Sequence, residues 1–463
     1  MQRLGPQDAS FLYLETPSVH QHVGGLAVLD PSTAPGGSLR FDMLVEVISS
    51  RLHLVPRFRQ KVVFPPLATA RPVWVDDAHF DLEFHMRRAA LPAPGGRKEL
   101  IDYVQRVISR PLDRTKPMWE LYLIEGMEVG LTSILTKVHH AMVDGMAAID
   151  LASAIYDFSP QPQILTTEPW KPGPEPSRGD LLRDALREQL TNPLGALAQL
   201  TNLVIRTPGR VVRQVGDVVG GLRDVLGVGV MAPPSPFNRR VGPNRRFAMF
   251  EAPVQTFKDV KRALGATVND VVLATVAGAM HGLLRHRREP TRERYLRAMV
   301  PVSVRARSER SAMGNRVSSI FVDLPVGPMG AKKRLAMIRE KTKSLKESNY
   351  AVGAEFLMNI GTWAPPTIHA MAARLAARSR LINLVVSNVP GPQVPMYIAG
   401  AKLLAQYPIM PIAETMGVSI ACTSLAGTMA FGITADWDTL PDIEYLASSM
   451  DDALTELRKA AGK

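Results

Sequence analysis

The sequence predicts a mixed α/β protein made of two large domains and a connection between them. The chain has 463 residues, of which 46% are hydrophobic, and this is enough apolar material for two large cores. Short apolar runs alternate with helical patterns on both sides of a proline-flanked, helix-like segment. We therefore expect a first domain over residues 1–165, a largely helical connection over 166–246 and a second domain over 247–463.

The first domain shows a clear helix and a clear hairpin. Residues 41–54 carry apolar side chains at helical spacing, which predicts an amphipathic helix. Residues 120–125 and 131–138 are apolar runs on either side of a segment that begins and ends with glycine, which predicts two paired strands. The second of these strands leads into another helical pattern, over residues 146–157.

The connection admits two interpretations. Between residues 180 and 226, leucine and valine recur at helical spacing with arginine interleaved. Helices that clamp the two domains are favoured, because apolar helical faces are ordinarily buried in a core. The alternative is a helix lying in a membrane surface, with its basic residues at the lipid headgroups.

The second domain continues the alternation of strands and helices. Residues 254–264, 268–284 and 443–459 have helical patterns, and residues 297–304 form an apolar run that predicts a strand. Residues 415–435 predict two strands joined by a hairpin turn.

Charge and cysteine content limit the partners and the compartment. Lys and Arg number 55 against 43 Asp and Glu, and the net charge of +12 favours anionic partners such as phosphates or acidic lipid. Aromatic residues are only 6% and no nucleic-acid-binding module is recognisable, so nucleic-acid binding is not expected. The single cysteine, Cys422, has no partner for an internal disulfide, which favours a reducing cytosolic compartment. Polar residues, glycine and proline interrupt the uncharged stretches, so we expect any membrane contact to be peripheral.

The strongest signal for chemistry is the segment His139-His140-Ala141-Met142-Val143-Asp144-Gly145, directly after a predicted strand. A strand end holds reactive side chains rigidly at the edge of a cleft. Neighbouring side chains on an extended segment point to opposite faces, so at most one of the two histidines is expected to enter the cleft. An imidazole is the favoured group for taking a proton from an alcohol near neutral pH. We predict that one histidine is a general base and that the other is structural.

Asp144 and Gly145 are interpreted as support for that base. Asp144 lies four residues beyond His140, where it could fix the turn, pair with an arginine or steady His140. Gly145 would allow close packing at the start of the following helix. A metal ion held by this cluster is the rival interpretation, but it needs three correctly aimed ligands, so no metal is expected.

Other short motifs are spread over nearly the whole chain. They include Pro117-Met118-Trp119, Asn269-Asp270 and Ser387-Asn388, within a larger set at residues 4–12, 22–25, 80–87, 111–114, 117–120, 268–271, 301–305, 314–316 and 387–392. Together with the match of residues 139–145 to the HHxxxDG signature, their order and spacing are strong evidence. The chain resembles the bacterial wax ester synthase/diacylglycerol acyltransferase family, within the superfamily of CoA-dependent acyltransferases and condensation domains.

This resemblance implies two chloramphenicol-acetyltransferase-like domains with an active-site channel between them. It implies acyl-CoA as the donor substrate, no cofactor, and diacylglycerol or a long-chain alcohol as the acceptor. His140 would be the general base, and His139, Asp144 and Gly145 would complete the catalytic motif. The resemblance further implies that substrate contacts come from Pro117, Met118, Trp119, Asn269, Asp270, Ser387 and Asn388.

The chain departs from the family pattern in two places. Met118 stands where the family usually has leucine, which is a volume-conserving exchange. The superfamily motif Asp-Phe-Gly-Trp-Gly has no match, and residues 431–436 are the nearest stretch, so the oxyanion-stabilising group stays unassigned.

Structural roles are favoured for two of the motifs. Trp119 is expected to fill core beside the hairpin, and Asn269 and Asp270 to cap the helix that follows them. Residues 387–392 are too rich in proline and glycine for regular structure, so we expect them to shape a substrate tunnel or to cross between the domains.

Two other functions stay open: a condensation-type acyltransferase with a different acceptor, and a catalytically silent lipid-surface or lipid-binding paralogue. The water-insoluble substrates and the positive charge predict a cytoplasmic protein that docks peripherally on anionic lipid, at the inner face of the plasma membrane or on lipid droplets. The predicted contact is a set of arginines in the connection: Arg206, Arg210, Arg213, Arg223, Arg239, Arg240, Arg245 and Arg246.

Overall fold

The computed structural model describes a large part of the chain: residues 1–143, 155–166, 168–191, 231–303, 317–347, 370, 373–374 and 378–462. Most of the predicted helix over 146–157 and residues 192–230 of the predicted connection lie outside the described residues.

The first large sheet has its strands in the order β12-β13-β2-β7-β6-β5. These strands are β2 (His22–Asp30), β5 (Met86–Ala90), β6 (Trp119–Glu125), β7 (Thr132–His139), β12 (Tyr397–Ile398) and β13 (Ala401–Ile409). β6 and β7 pair antiparallel, which confirms the predicted hairpin. β2 pairs with β7 so that His22 lies opposite His139. A Cβ atom at Gly24 would meet the carbonyl oxygen of Thr136 at 2.0 Å, so only glycine fits this pairing.

The second large sheet has the order β10-β9-β11-β14-β15-β8. Its strands are β8 (Arg245–Pro253), β9 (Tyr295–Ser303), β10 (Val317–Pro325), β11 (Leu384–Val389), β14 (Val418–Leu425) and β15 (Thr428–Asp436). β14 and β15 form the predicted hairpin, and β9 covers most of the strand predicted over residues 297–304. Cys422 lies buried in β14.

Two strands from the second half of the chain complete the first sheet. β13 pairs antiparallel with β2, and β12 pairs with β13. The chain reaches them from β11 through residues 390–396, which confirms that residues 387–392 lead across from one sheet to the other. The expectation that this segment lacks regular structure is wrong, because residues 387–389 pair in parallel with β14. The prolines begin only after β11 ends, and they hid the strand in the sequence.

The predicted domain boundaries at residues 165 and 246 stay a prediction. The structure adds that residues 397–409, from the predicted second domain, belong to the first sheet.

Ten helices pack against the sheets in the described part of the chain. They are α1 (Pro6–Leu14), α2 (Phe41–Arg51), α3 (Leu82–His85), α4 (Arg97–Ile108), α5 (His140–Val143), α6 (Arg178–Thr191), α7 (Val254–Leu264), α8 (Val268–His286), α9 (Ala331–Glu347) and α10 (Ile443–Ala460). α2, α7, α8 and α10 confirm the predicted helices, and a short 3-10 turn, Leu52–Leu54, completes the first of them. α8 packs between α9 and α10 in the core of the second half, where a Cβ at Gly278 would meet the Cβ of Ala453 at 2.7 Å.

The described connection packs on both halves of the chain: residues 178–191 contact the first half, and residues 231–246 contact the second, whose core contains Phe237. α6 buries Leu181 against Val73 and Val75 of a small sheet, whose strands are β1 (Gln2–Arg3), β3 (Gln60–Val63) and β4 (Val73–Asp76). Asp184 of the same helix contacts Arg3. Leu181 and Ala185 of α6 are buried, whereas Leu182 and Leu186 are exposed, so only part of its apolar surface packs on a core, and a clamp between the two domains stays a prediction.

The predicted lipid contact is wrong for one arginine. Arg245 is 5% exposed, and its guanidinium donates to the carbonyl groups of Ser18, Gly242 and Asn244. Burial in a network of carbonyl groups leaves this side chain no surface for lipid.

Within the described ranges no single helix is long and apolar enough to cross a membrane. Taken together, α7 and α8 are long and apolar enough for a membrane span, but the two helices are bent by 102° relative to each other.

Candidate active site

The histidine pair lies where β7 ends and α5 begins. The backbone N–H of His139 donates to the carbonyl of Met118 at 2.9 Å, and the N–H of His140 donates to the carbonyl of Gln21 at 2.8 Å. The side chain of His139 is fully buried, whereas His140 keeps some exposed surface. Because the two rings have different surroundings, only His140 is open to a substrate.

The ring of His140 stacks on the ring of Phe11, which α1 carries. The ring centroids are 3.9 Å apart and the planes differ by 18°. Burial is the main cause that lowers the pKa of His140 to about 4, with a smaller contribution from His139. The imidazole is therefore neutral at physiological pH, which is the form that can accept a proton.

His139 is held on both ring nitrogens. Its Nδ1 accepts a hydrogen bond from the N–H of Ala141 at 3.1 Å, and its Nε2 lies 3.3 Å from Oε1 of Glu15. These two contacts leave His139 no free nitrogen for a substrate. It supports the first turn of α5, so the prediction that one histidine is structural applies to His139.

Glu15, the residue that follows α1, is the acidic centre of this cluster. Its Oε1 accepts from the N–H of Gln21 at 2.9 Å, and its Oε2 lies 3.8 Å from Arg114. Burial by itself raises the pKa of Glu15, but the interactions with His139, Gln21 and Arg114 outweigh burial and hold this pKa below its usual value. Glu15 is therefore a carboxylate at physiological pH.

Glu15, His20 and His22 place one ligand atom each within 4.8 Å of one another, which is the spacing of a metal site. Burial and the charge of Lys137 hold the pKa of His22 well below its usual value, and Arg245 acts in the same direction. Those positive charges also oppose a bound cation. The carboxylate of Glu15 is already engaged, so we assign no metal to this cluster.

Asp144 and Gly145 lie outside the described residues. Their predicted roles beside His140 stay predictions.

Pro117, Met118 and Trp119 lie in the core at the start of β6. The indole N–H of Trp119 donates to the carbonyl of Phe58 at 2.9 Å, and its ring stacks on His85 with centroids 4.6 Å apart. Trp119 is 3% exposed and Met118 is fully buried. Trp119 thus fills core beside the hairpin as expected, and the assignment of the three residues to substrate binding stays a prediction.

Asp270 and Asn269 lie in the first turn of α8. The carboxylate of Asp270 accepts from the N–H and the hydroxyl of Thr267 at 2.9 and 2.7 Å, and from the hydroxyl of Thr342 at 2.7 Å. Thr267 is the N-cap residue, and Asp270 completes a capping box with it. The capping role is confirmed for Asp270, while substrate binding by Asn269 and Asp270 stays a prediction.

Ser387 and Asn388 lie in β11, opposite Ala421 and Cys422 of β14. Ser387 is buried and Asn388 is partly exposed. The structure brings neither into contact with the histidines among the described residues, and their role in substrate binding stays a prediction.

Sequence reasoning assigned no role to Phe11, Glu15 or His22, which surround the histidine pair. Phe11 and His22 belong to the motifs at residues 4–12 and 22–25, so a signal was present in the sequence. Glu15 lies between these motifs, and a single acidic residue after a short helix carries no signal of its own.

Two mixed sheets, the first completed by β12 and β13 from the second half of the chain, with a histidine pair at the end of a central strand, define the class of proteins with the condensation and chloramphenicol-acetyltransferase-like fold. The chain belongs to the wax ester synthase/diacylglycerol acyltransferase family: the model of the family's catalytic domain matches residues 4–272, and that of its C-terminal domain matches residues 313–458. The protein is therefore an acyltransferase of this type.

Relatives match over nearly the whole chain. A Mycobacterium tuberculosis protein, provisionally named a diacylglycerol O-acyltransferase, is 33% identical over 465 residues, which cover 99% of this chain and 90% of the relative. A Mycobacterium bovis protein with the same provisional name is 31% identical over 477 residues. This match covers 100% of this chain and 100% of the relative.

Solved structures show the same fold. The wax ester synthase/diacylglycerol acyltransferase from Marinobacter aquaeolei superimposes with a TM-score of 0.70 and 28% identity, and both chains are covered completely. The starter condensation domain of rhizomide synthetase has a TM-score of 0.57 at 13% identity, covering 100% of this chain and 94% of that domain. The second likeness concerns the fold alone.

Proposed function

We propose that the protein transfers a long-chain acyl group from acyl-CoA to the hydroxyl of diacylglycerol, of a long-chain alcohol, or of both. The observation that carries this proposal is the neutral His140 at the end of β7, which keeps exposed surface while His139 is fully engaged. The names of the relatives support the acceptor class.

His140 acts as the general base. It takes the proton of the acceptor hydroxyl while the oxygen attacks the thioester carbonyl, so that a carbon–oxygen bond forms. The carbon–sulfur bond then breaks, and the imidazolium returns the proton to the departing CoA sulfur. The reaction needs no cofactor beyond acyl-CoA as substrate.

The acyl group passes directly from one substrate to the other. The one thiol, Cys422, is buried, and burial raises its pKa far above the usual value, so it is not a nucleophile. A direct transfer agrees with a site whose reactive group is an imidazole.

The test is to incubate the purified protein with oleoyl-CoA and parallel acceptors, diolein, hexadecanol and hexadecylamine, and to identify the esters or the amide by mass spectrometry. The proposal is supported if the wild-type protein forms triacylglycerol or wax ester and the His140→Ala variant forms neither. No ester with either acceptor, from protein shown to be folded, would contradict it and favour a silent lipid-binding paralogue. Acyl transfer to an amine alone would favour a condensation-type enzyme.

The proposed location is the cytoplasmic face of the plasma membrane or the surface of lipid droplets, reached by peripheral contact. The net charge of +12 supports attraction to anionic lipid, and Arg239 and Arg240 are exposed.

Co-sedimentation with anionic and with neutral vesicles tests this contact. Binding to anionic vesicles should weaken in salt and after Arg239→Glu with Arg240→Glu. The same reversal at exposed Lys332 and Lys333 of α9 is the matched control for total charge. Equal loss in both double variants would contradict a contact through this segment.

A further inference from the structure

The residues around His140 leave one question open, which is what keeps the base in place. The described residues of α5, His140–Val143, form its first turn, where backbone N–H groups have no partner within the helix. The fixed points come from outside the helix: the ring of Phe11, the carbonyl of Gln21 and the ring of His139.

Glu15 contacts two of these fixed points with one oxygen atom. Its Oε1 accepts from the N–H of Gln21, the residue whose carbonyl receives the N–H of His140. The same oxygen lies 3.3 Å from Nε2 of His139. Glu15 also directly follows α1, which carries Phe11 onto the ring of His140.

The hydrogen bonds of His139 define where its proton lies. Because Nδ1 accepts from the N–H of Ala141, the proton of the neutral ring is on Nε2, which faces Glu15. Nε2 is buried, and among the residues that the structure describes it has no aligned hydrogen-bond acceptor; the carboxylate of Glu15, 3.3 Å away, interacts with it electrostatically. Without the carboxylate, this buried N–H would lose that interaction, which favours rotation or re-protonation of the ring.

We infer that Glu15 is a positioning residue for the general base: it holds His139 with Nδ1 towards Ala141, and through His139 and Gln21 it fixes the start of α5. The inference rests on the proposed role of His140. It assigns to Glu15 no contact with either substrate.

Steady-state kinetics give the first test. Glu15→Ala is expected to lower kcat by about 10- to 100-fold, the usual cost of removing a group that orients an active-site histidine, with KM for both substrates within about twofold. Glu15→Gln should recover part of this loss, because its amide oxygen can still accept from both N–H groups. Asp442→Asn is the matched control: it removes a partly buried carboxylate that pairs with Arg287 far along the chain, and kcat should not change.

A double-mutant cycle separates action through His139 from general damage. Glu15→Ala combined with His139→Ala should have a kcat close to that of His139→Ala alone, because only the smaller contribution through Gln21 remains to be lost. Multiplied losses would overturn the inference, as would an unchanged kcat for Glu15→Ala or a loss confined to KM.

A spectroscopic readout needs no turnover. In the wild-type protein labelled with ¹⁵N-histidine, the His139 ring signals, identified by their loss in His139→Ala, should report a proton on Nε2 and none on Nδ1. A proton on Nδ1 would overturn the inference even if Glu15→Ala fails to fold. If the wild type forms no ester, the proposed function fails, while the position of this proton is still decided.

Discussion

Glu15 in the first half and Asp270 in the second half are both enclosed carboxylates at an end of a helix, yet their partners differ. Asp270 accepts from Thr267 and Thr342, and these contacts join α8 to α9. Glu15 contacts His139 and the backbone beside His140. The comparison teaches that Asp270, a carboxylate within a recognised motif, can be structural, while Glu15, which lies outside every motif, contacts the histidine pair.

The largest expected effect belongs to the base. His140→Ala should lower kcat by roughly 10²- to 10⁴-fold, because it removes the group that we propose takes the acceptor proton. The thermal unfolding midpoint should stay close to that of the wild type, since His140 keeps exposed surface. Undiminished ester formation by a folded variant would show that His140 is not the base, and the comparison would then lose the reaction to which Glu15 is assigned.

Replacing Asp270 should lower the stability of the folded protein. Asp270→Ala is expected to lower the free energy of unfolding by about 2 kcal/mol, because it removes a capping box and the hydrogen bond from Thr342, whose hydroxyl keeps only the carbonyl of Arg339. Urea unfolding measures this, with Asp451→Ala on exposed α10 surface as the control, for which the change should be below about 0.5 kcal/mol. Unchanged stability with a raised KM would instead favour the predicted substrate contact.

The pH dependence of the reaction should report the lowered pKa of His140. Because this pKa is about 4, kcat/KM is expected to be flat from about pH 7 to 5 and to fall about tenfold for each unit well below pH 4. An apparent pKa near 6.5 in this profile would show that the folded protein does not keep the base neutral.

Stability should change with pH in the same direction. Between the usual histidine pKa of 6.5 and about 4, the unfolded chain binds a proton that folded His140 does not. The contribution of His140 to stability is therefore complete above about pH 6.5 and is lost as the pH falls towards 4. Replacing His140 with alanine should remove this part of the pH dependence, which urea unfolding at several pH values would measure.

The smallest effect is expected for the stacking partner of the base. Phe11→Leu keeps an apolar side chain but removes the ring contact, so kcat should fall by about fivefold, equivalent to about 1 kcal/mol. Phe158→Leu, at a side chain that is 74% exposed, is the control. Equal kinetics for the two variants would show that the ring of Phe11 does not hold His140.

Local patterns in the sequence predicted the local elements well. The hairpin of β6 and β7, the helices α7, α8 and α10, and the strand end at His139 all follow from periodicity over a few residues. β11 was missed because the prolines and glycine of residues 390–392 dominate the composition just after it.

Pairing between distant segments could not be predicted in the same way. Nothing in residues 401–409 indicates that their partner is β2, since strand register depends on how both cores pack. The environment of Glu15 depends on the same pairing of β2 with β7. The family resemblance supplied the role of His140, but the contacts that hold His139 came only from the three-dimensional arrangement.

Because β12 and β13 come from the second half of the chain, the first sheet can be completed only late during synthesis. β7 leaves the ribosome long before β13, and at about 5–20 residues per second the delay is on the order of tens of seconds. Until then one edge of β2 lacks its neighbour, and an unpaired strand edge is a template for aggregation. A nascent chain that is stopped before residue 401 therefore carries the histidine motif on an incomplete sheet with an open edge at β2.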